Sequence, residues 1–510
     1  MVIFNVNAQT QNSTLDYNNT SVVIQNGGDF FWDLSSAKHV VPKSTSGTRK
    51  STIFSGAVWI GAEEEDGSVH LSAMTYRQRG QDFWPGPSSL DTAAARSKYD
   101  KIFEVTAAQI QAHIQNSSNP ISAILNWPGN GDTTKGEPYQ LAPFVDINKN
   151  GKYEPIFGDY PKIKGTAATY CIYTDHGIHT ESGGVPLGVD VHQLFYQDVA
   201  TGFEEVNLAS FTVVNRSDTN YTKFKFGIYV DFDLGNYADD YVGCDSATNM
   251  IYAYNGDADD EGVLGYGINP PAQNMMFLNT RLGSALYYNN DFNPVSGNPR
   301  NAQDYYNYLS AKWMTGNDMN YGGNGITGGM GKTNYMFSGD PVANTGWTEV
   351  QAGNVPSDRR MLAVAKETSL AKGEVKCFDM AFVYGRTSNG GNLASISEMK
   401  NKAAQVQSAY DADYYQWKTK DCALSAAAGT STLGISTSDF EHKKINLYPN
   451  PTHGVVTVVL PKDTDFNVFN AHGAELQNVK ISETQVDLSE YSSGIYFIKS
   501  NFGTFRIIKQ

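Results

Sequence analysis

The chain has 510 residues, with 53 acidic against 38 basic side chains and a formal net charge of −15. That length supplies core for two to four domains, and the negative balance excludes a phosphate-tracking nucleic-acid binder. Aromatics at 12% and 48 glycines, with only 18% charged residues, describe a β-rich, loop-rich extracellular protein, and no run of 18 apolar residues could form a transmembrane helix.

In chain order, residues 1–8 end Val6-Asn7-Ala8 and read as the remnant of a secretory signal peptide, with small Ala8 at the cleavage position. Residues 9–200 and 201–422 are expected to form two β-rich cargo domains of sandwich type, the second ending in a helix. Thr106–Gln115 predicts a helix with Thr106 as N-cap and Ile110 and Ile114 on one face. Leu393 to about Trp417 predicts the closing helix. Val206–Val214 with Phe224–Phe232, and Met361–Ala365 with Val375–Tyr384, read as hairpin-like pairs.

Residues 146–155 read Asp-Ile-Asn-Lys-Asn-Gly-Lys-Tyr-Glu-Pro. Asp146, Asn148 and Asn150 place oxygens at positions 1, 3 and 5, Gly151 permits the sharp turn at 6, and Lys152 offers a carbonyl at 7. This is the first half of a calcium loop, because Ca²⁺ takes six to eight oxygens. Position 12 is Phe157 rather than Glu, so Asp159 is expected to close the shell from outside. The loop resembles those of dockerin and thrombospondin-type repeats; an Asx-rich turn needing no metal is the alternative.

A second acidic cluster, Asp231, Asp233, Asn236, Asp239, Asp240 and Asp245, follows the predicted strand Phe224–Val230. Carboxylates so close repel unless a cation neutralises them, and calcium is the expected ion. The competing reading is an acid and base pair for glycoside hydrolysis.

His176 and His179 match no zincin spacing and are expected to be hydrogen-bonded beside a turn. Neither a G-x-S-x-G elbow nor an H-E-x-x-H helix occurs. Phe30-Phe31-Trp32, Phe83-Trp84-Pro85 and the tyrosines 305, 306 and 308 could offer a platform for sugar rings or serve as core. Cys171, Cys244, Cys377 and Cys422 allow one or two disulfides or free buried thiols.

The stretch 423–441 is too poor in large apolar residues to order itself and reads as a flexible linker. Beyond it, 442–510 alternates apolar and polar residues in short runs broken by glycines, the pattern of a small antiparallel sandwich. Pro449 and Pro451 fix φ before the sheet; Gly473 and Gly494 serve turns. The ordered blocks Leu447-Tyr448-Pro449-Asn450-Pro451, Gly454, Asn470-Ala471-His472-Gly473, Asp487-Leu488-Ser489, Ser493-Gly494-Ile495-Tyr496 and a basic end at Lys509 resemble the type A sorting domain of the type IX secretion system of Bacteroidota. That resemblance implies export across the outer membrane, recognition by the translocon, removal by a sortase-like peptidase, and release of the cargo or its attachment to surface lipopolysaccharide. The phrases Asn26-Gly27-Gly28-Asp29, Phe54–Gly61 and Asp233-Leu234-Gly235 are similar to a family of large secreted Bacteroidota proteins, a likeness that brings no mechanism.

The expectation is therefore a secreted or surface-displayed, calcium-stabilised β-protein that binds or adheres, to glycans among other partners. The alternatives are a secreted polysaccharide hydrolase and a self-associating matrix or filament subunit.

Overall fold

A computed structural model describes residues 12–44, 47–88, 96–327, 329–412, 446–459, 466–470, 474–479, 485–500 and 503–510. The expected signal-peptide remnant, the linker, Gly473 and Cys422 lie outside the described residues. The chain divides into two compact units, one reaching residue 431 and one starting at 432.

The first unit is built on two antiparallel sheets, so the mainly β, sandwich-like expectation holds. An eleven-stranded sheet runs in the order Leu282–Asn289, Arg359–Ala365, Tyr221–Phe232, Ser55–Glu63, Asp29–Phe30, Ser21–Gln25, His39–Val40 and Ser51–Ile53, with three further strands off this path. A nine-stranded sheet runs Asp240–Asp245, Met250–Asn255, Ala272–Phe277, Val375–Gly385, Val206–Asn215, Val189–Gln197, Ala167–Thr174 and Trp84–Pro85, with one more strand attached.

The strand order corrects two expectations. A boundary near residue 200 would separate Val189–Gln197 from Val206–Asn215, which are hydrogen-bonded neighbours. Both sheets draw strands from each side of that point. The two expected hairpins are not hairpins: Val206–Asn215 and Tyr221–Phe232 lie in different sheets, as do Arg359–Ala365 and Val375–Gly385. Each connection crosses the sandwich, because every one of these strands has an apolar face that must meet the opposite sheet.

The core between the sheets is aromatic. Phe226 stacks on Phe378 with centroids 4.0 Å apart, and Phe30 meets Phe195 at 5.1 Å. The helix Ala302–Leu309 covers the outer face of the larger sheet, setting Tyr305 against Trp59 and Tyr308 against Tyr288. This close approach requires glycine beneath it: a Cβ on Gly227 would lie 2.8 Å from the Leu309 side chain, and one on Gly61 2.9 Å from Tyr306. Phe30, Phe31, Trp32, Phe83, Tyr305, Tyr306 and Tyr308 are all buried, so these aromatics are core rather than a sugar platform.

The outer face of the smaller sheet is covered by the helix Gly391–Asp411 through Ile396, Met399, Ala403 and Val406. The helix Ala107–Gln115 carries the expected cap, a full box in which Thr106 Oγ1 accepts from the Gln109 amide and Gln109 returns a bond to the Thr106 amide. Cys171 and Cys244 are free and buried, and Cys377 is disulfide-bonded.

A directional relay of buried polar groups ties the sheets together. Gln197 donates to Asn207 Oδ1 (2.7 Å), Asn207 Nδ2 to His39 Nε2 (3.1 Å), His39 Nδ1 to Thr52 Oγ1 (2.8 Å), and Thr52 to Gln273 Oε1 (2.9 Å). A second donor on His39 would point at the Asn207 amide hydrogens, so the relay accepts only the neutral ring. Burial pushes both His39 and His192 down to about 3.

Since their folded pKa lies below the unfolded value, these two rings contribute stability that is present above about pH 6.5 and lost as pH falls towards 3, at about 1.4 kcal/mol per pH unit per histidine. Urea unfolding between pH 7 and 4 should show that loss, and His39→Gln should remove one histidine's share of the slope; an unchanged slope would contradict the relay.

Candidate functional site

The Asp146 loop is organised by its carboxylates. Asp146 accepts from the amides of Lys149 (2.7 Å), Asn150 (3.3 Å) and Gly151 (2.6 Å). Asn148 accepts from the Asn150 amide and Asn150 from the Lys152 amide. Asp159, fully buried, is tied to the loop by main-chain donors: it accepts from the Ile147 amide (2.9 Å) and the Glu154 amide (2.8 Å). Gly151 at φ +80° supplies the turn. Asp146 and Asp159 thus have their charges met by main-chain donors, an arrangement compatible with a bound cation and equally able to hold the loop alone.

The 231–245 cluster separates into three. Asp245 is ion-paired to Lys400 at 3.1 Å. Asn236 caps a short 3-10 turn by accepting from Ala238 and donates from Nδ2 to Asp239 at 3.0 Å. Asp240 is fully buried; one oxygen accepts from the Leu234 amide at 3.0 Å, while Asp240 Oδ1 and Asp239 Oδ1 have no hydrogen-bond partner. Burial, with Asp239, Asp233 and Asp260 nearby, raises the Asp240 carboxyl well above its usual range.

Asp231 and Asp233 form the third group, and the structure adds Asp358 to them. Among the described residues, one carboxylate oxygen from each of these three lies within 4.8 Å of the other two. The sheet makes this juxtaposition. Asp231 stands opposite Ser55 on one side and Arg360 on the other, and Arg360 stands opposite Tyr288. Two residues further along each chain, on the same face by the period of the strand, come Asp233, Asp358 and Asn290.

Arg360, 2% exposed, donates to Asp231 (3.1 Å), the Tyr76 hydroxyl (2.9 Å) and Asn298 Oδ1 (2.5 Å). Asn298 donates to Asn290 (3.0 Å), and Asn290 to Asp358 Oδ2 (2.9 Å). Burial raises the carboxyls of Asp231 and Asp233, with their mutual repulsion and that of Asp358 adding to it and Arg360 opposing it. Asp358 was not among the sequence candidates. Its signal was the run Asp358-Arg359-Arg360 entering an apolar strand, where two arginines need buried carboxylates.

Of the two histidines, His179 is hydrogen-bonded, with both ring nitrogens 2.8 Å from the carbonyl oxygens of Leu71 and Asp175, while His176 is tied through its main chain, its amide donating to Thr174 Oγ1.

The C-terminal unit packs a three-stranded sheet and a four-stranded sheet around Val456, Val458, Phe466, Val468, Val486, Leu488, Tyr496, Ile498 and Ile507. Its motif residues fasten the last strand, Gly503–Lys509. Asn450 Nδ2 donates to the Arg506 carbonyl (2.8 Å), and Asn450 Oδ1 accepts from the Ile508 amide (2.9 Å). Lys509 Nζ donates to the carbonyls of Ser489 (3.0 Å) and Tyr491. Asp487 accepts from the Ser489 amide (2.8 Å). Gly454 leaves the space that Ser489 Oγ occupies, 2.5 Å from where a Cβ would stand. Gly494 opens the strand Gly494–Ser500, which pairs with the terminal strand.

Residues 446–510 match the family described as secretion system C-terminal sorting domain. The C-terminal unit is therefore a type IX secretion sorting domain, and the protein is exported to the cell surface or extracellular space. No functionally curated protein matches the sequence. Among solved structures, a polysaccharide lyase is similar at 6% identity and TM-score 0.19, over 63% of this chain and 34% of that one; the chain thus spans about a third of that structure. A putative aldose 1-epimerase from Escherichia coli K12 is similar at 12% identity and TM-score 0.22, over 74% of this chain and all of the other. Likenesses this weak carry nothing to the site. No helix among the described residues is long and apolar enough to cross a membrane.

Asn450→Ala should free the last strand: loss of two hydrogen bonds costs about 1–3 kcal/mol, and amide exchange at Ile508 should accelerate by about tenfold or more. Unaltered exchange there would show that Asn450 does not hold the strand.

Proposed function

We propose that the exported protein is a surface or secreted binding component whose first unit is stabilised by calcium. The observation that supports this reading is an imbalance of buried charge at the end of the Tyr221–Phe232 strand. Asp233, Asp239, Asp240, Asp260 and Asp358 form no ion pair among the described residues, and the carboxylate that Arg360 pairs with is Asp231. Unmatched carboxylates at this density repel one another, and outside the cell calcium is the available hard cation, with extracellular modules binding it at about 10⁻⁴–10⁻³ M. The Asp146 loop, with Asp159, is a second calcium candidate on its oxygen pattern.

The geometry favours a cation over glycoside hydrolysis. A hydrolytic pair needs two free carboxyl groups flanking a cleft, whereas Asp231 is already engaged by Arg360. In this reading the translocon and a sortase-like peptidase are the partners in export, and glycans or surface lipopolysaccharide are the partners after it. Polysaccharide pull-downs in calcium buffer, with released reducing ends assayed in the same tubes, separate a binding protein from a hydrolase.

Calcium in excess should raise the melting temperature of the first unit in the full chain by several degrees over chelator, since ligand at 100 times Kd adds about 2.7 kcal/mol. Identical melting in calcium and chelator would sink the calcium part of the reading.

A further inference from the structure

We propose that Asp231, Asp233 and Asp358 form one coordination centre for a hard divalent cation, calcium, which fastens three chain segments at the end of the larger sheet. This rests on the calcium reading above and assigns its principal site. The segments are the exit of Tyr221–Phe232, the entry to Arg359–Ala365, and the 290–298 turn held through Asn290 and Asn298.

Three independent features point to an ion. The spacing fits: two oxygens on one calcium ion can be no farther apart than about twice a bond of ~2.4 Å, and the three carboxylates meet that limit. The charge fits, because three carboxylates against the single Arg360 guanidinium leave two negative charges unmatched.

The third feature is the contrast with three buried carboxylates elsewhere in the protein, Asp175, Asp82 and Asp29. Asp175 is met by Ser72 and the amides of Leu187 and Val189. Asp82 is met by the amides of Ala73, Glu181 and Ser182, and Asp29 by Arg77 and Trp32. In this group, by contrast, Asp358 Oδ1 is inaccessible to solvent and has no hydrogen-bond partner. The hydroxyl of Ser55, opposite Asp231, is in the same state, 0% exposed and unpartnered. Tyr229 and Tyr288 both lie within electrostatic reach of Asp231 and Arg360. Unpartnered buried oxygens facing a net negative group are costly, and an oxygen-seeking cation resolves them together. Asp233 and Asp358 are only partly buried, so the ion has a path from solvent.

The test uses the full chain with Tb³⁺ as the probe, read by luminescence sensitised through the neighbouring tyrosines and competed with Ca²⁺. Wild type should show a calcium-displaceable signal. Asp358→Asn and Asp233→Asn should each weaken it by tenfold or more, while Asp259→Asn, an exposed acid outside the group, should leave it unchanged. In chelator, Asp358→Asn should melt at a higher temperature than wild type, because it relieves repulsion while keeping an acceptor for Asn290. A lower melting temperature there would mean that the carboxylate acts as a structural acceptor, and would overturn the proposal. Retained terbium binding in both variants, with loss in Asp146→Asn, would overturn it too while leaving the broader calcium reading intact. Wild type that shows neither terbium binding nor a calcium-dependent melt would remove both.

Discussion

The ion pair between Arg360 and Asp231 organises the outer face of the larger sheet. Both groups are almost wholly buried on adjacent strands, in direct register. A buried pair of this kind gains little net stability over an apolar substitute but is costly to leave half-made. Its value lies in position: it fixes the register of Tyr221–Phe232 against Arg359–Ala365, so that the residues two places further along each chain arrive beside one another. Asp233 and Asp358 are neighbours because Asp231 and Arg360 are. The guanidinium's remaining donors reach Tyr76 and Asn298, which couples the end of the sheet to loops distant in sequence.

The same strand shows what was legible in the residues and what was not. Tyr221–Phe232 could be read as a strand from its β-branched and aromatic content, and the carboxylates after it could be placed at a strand end. Its partner could not. The strand is buried on both faces, with Phe226 against Phe378 of the second sheet and Tyr229 against Trp59 and Tyr288, so its neighbours were not determined by alternation. Proximity in sequence suggested hairpins; the sandwich instead sends successive strands to opposite sheets. Asp358 lay hidden for this reason, since its proximity to Asp231 exists only through the register. Local features fared better. Thr106 forms the predicted cap and residues 446–510 are a sorting domain, because capping and short motifs are decided within a few residues of chain.

The sorting domain reaches its specificity by a different route. Its motif positions lie far apart in sequence yet converge on the terminal strand: Asn450 binds its main chain from one side, and Lys509, within it, reaches back to the carbonyls of Ser489 and Tyr491. The motif is thus a set of contacts that hold the strand Gly503–Lys509 against the rest of the unit.

The two acidic regions of the first unit differ in a way their composition conceals. In the Asp146 loop, oxygen side chains alternate with main-chain amides that turn inward and satisfy them, so the loop stands with its charge already met by donors. At the end of the sheet the carboxylates draw on one guanidinium, at Asp231, and one asparagine amide, at Asp358. A loop can bend to solvate its own anions, but a strand end cannot, because its main-chain donors are spoken for by the ladder. Negative charge placed there must be neutralised from outside the backbone. That is why the proposal of a bound cation rests on the carboxylates of the sheet rather than on the sequence that most resembles a calcium loop.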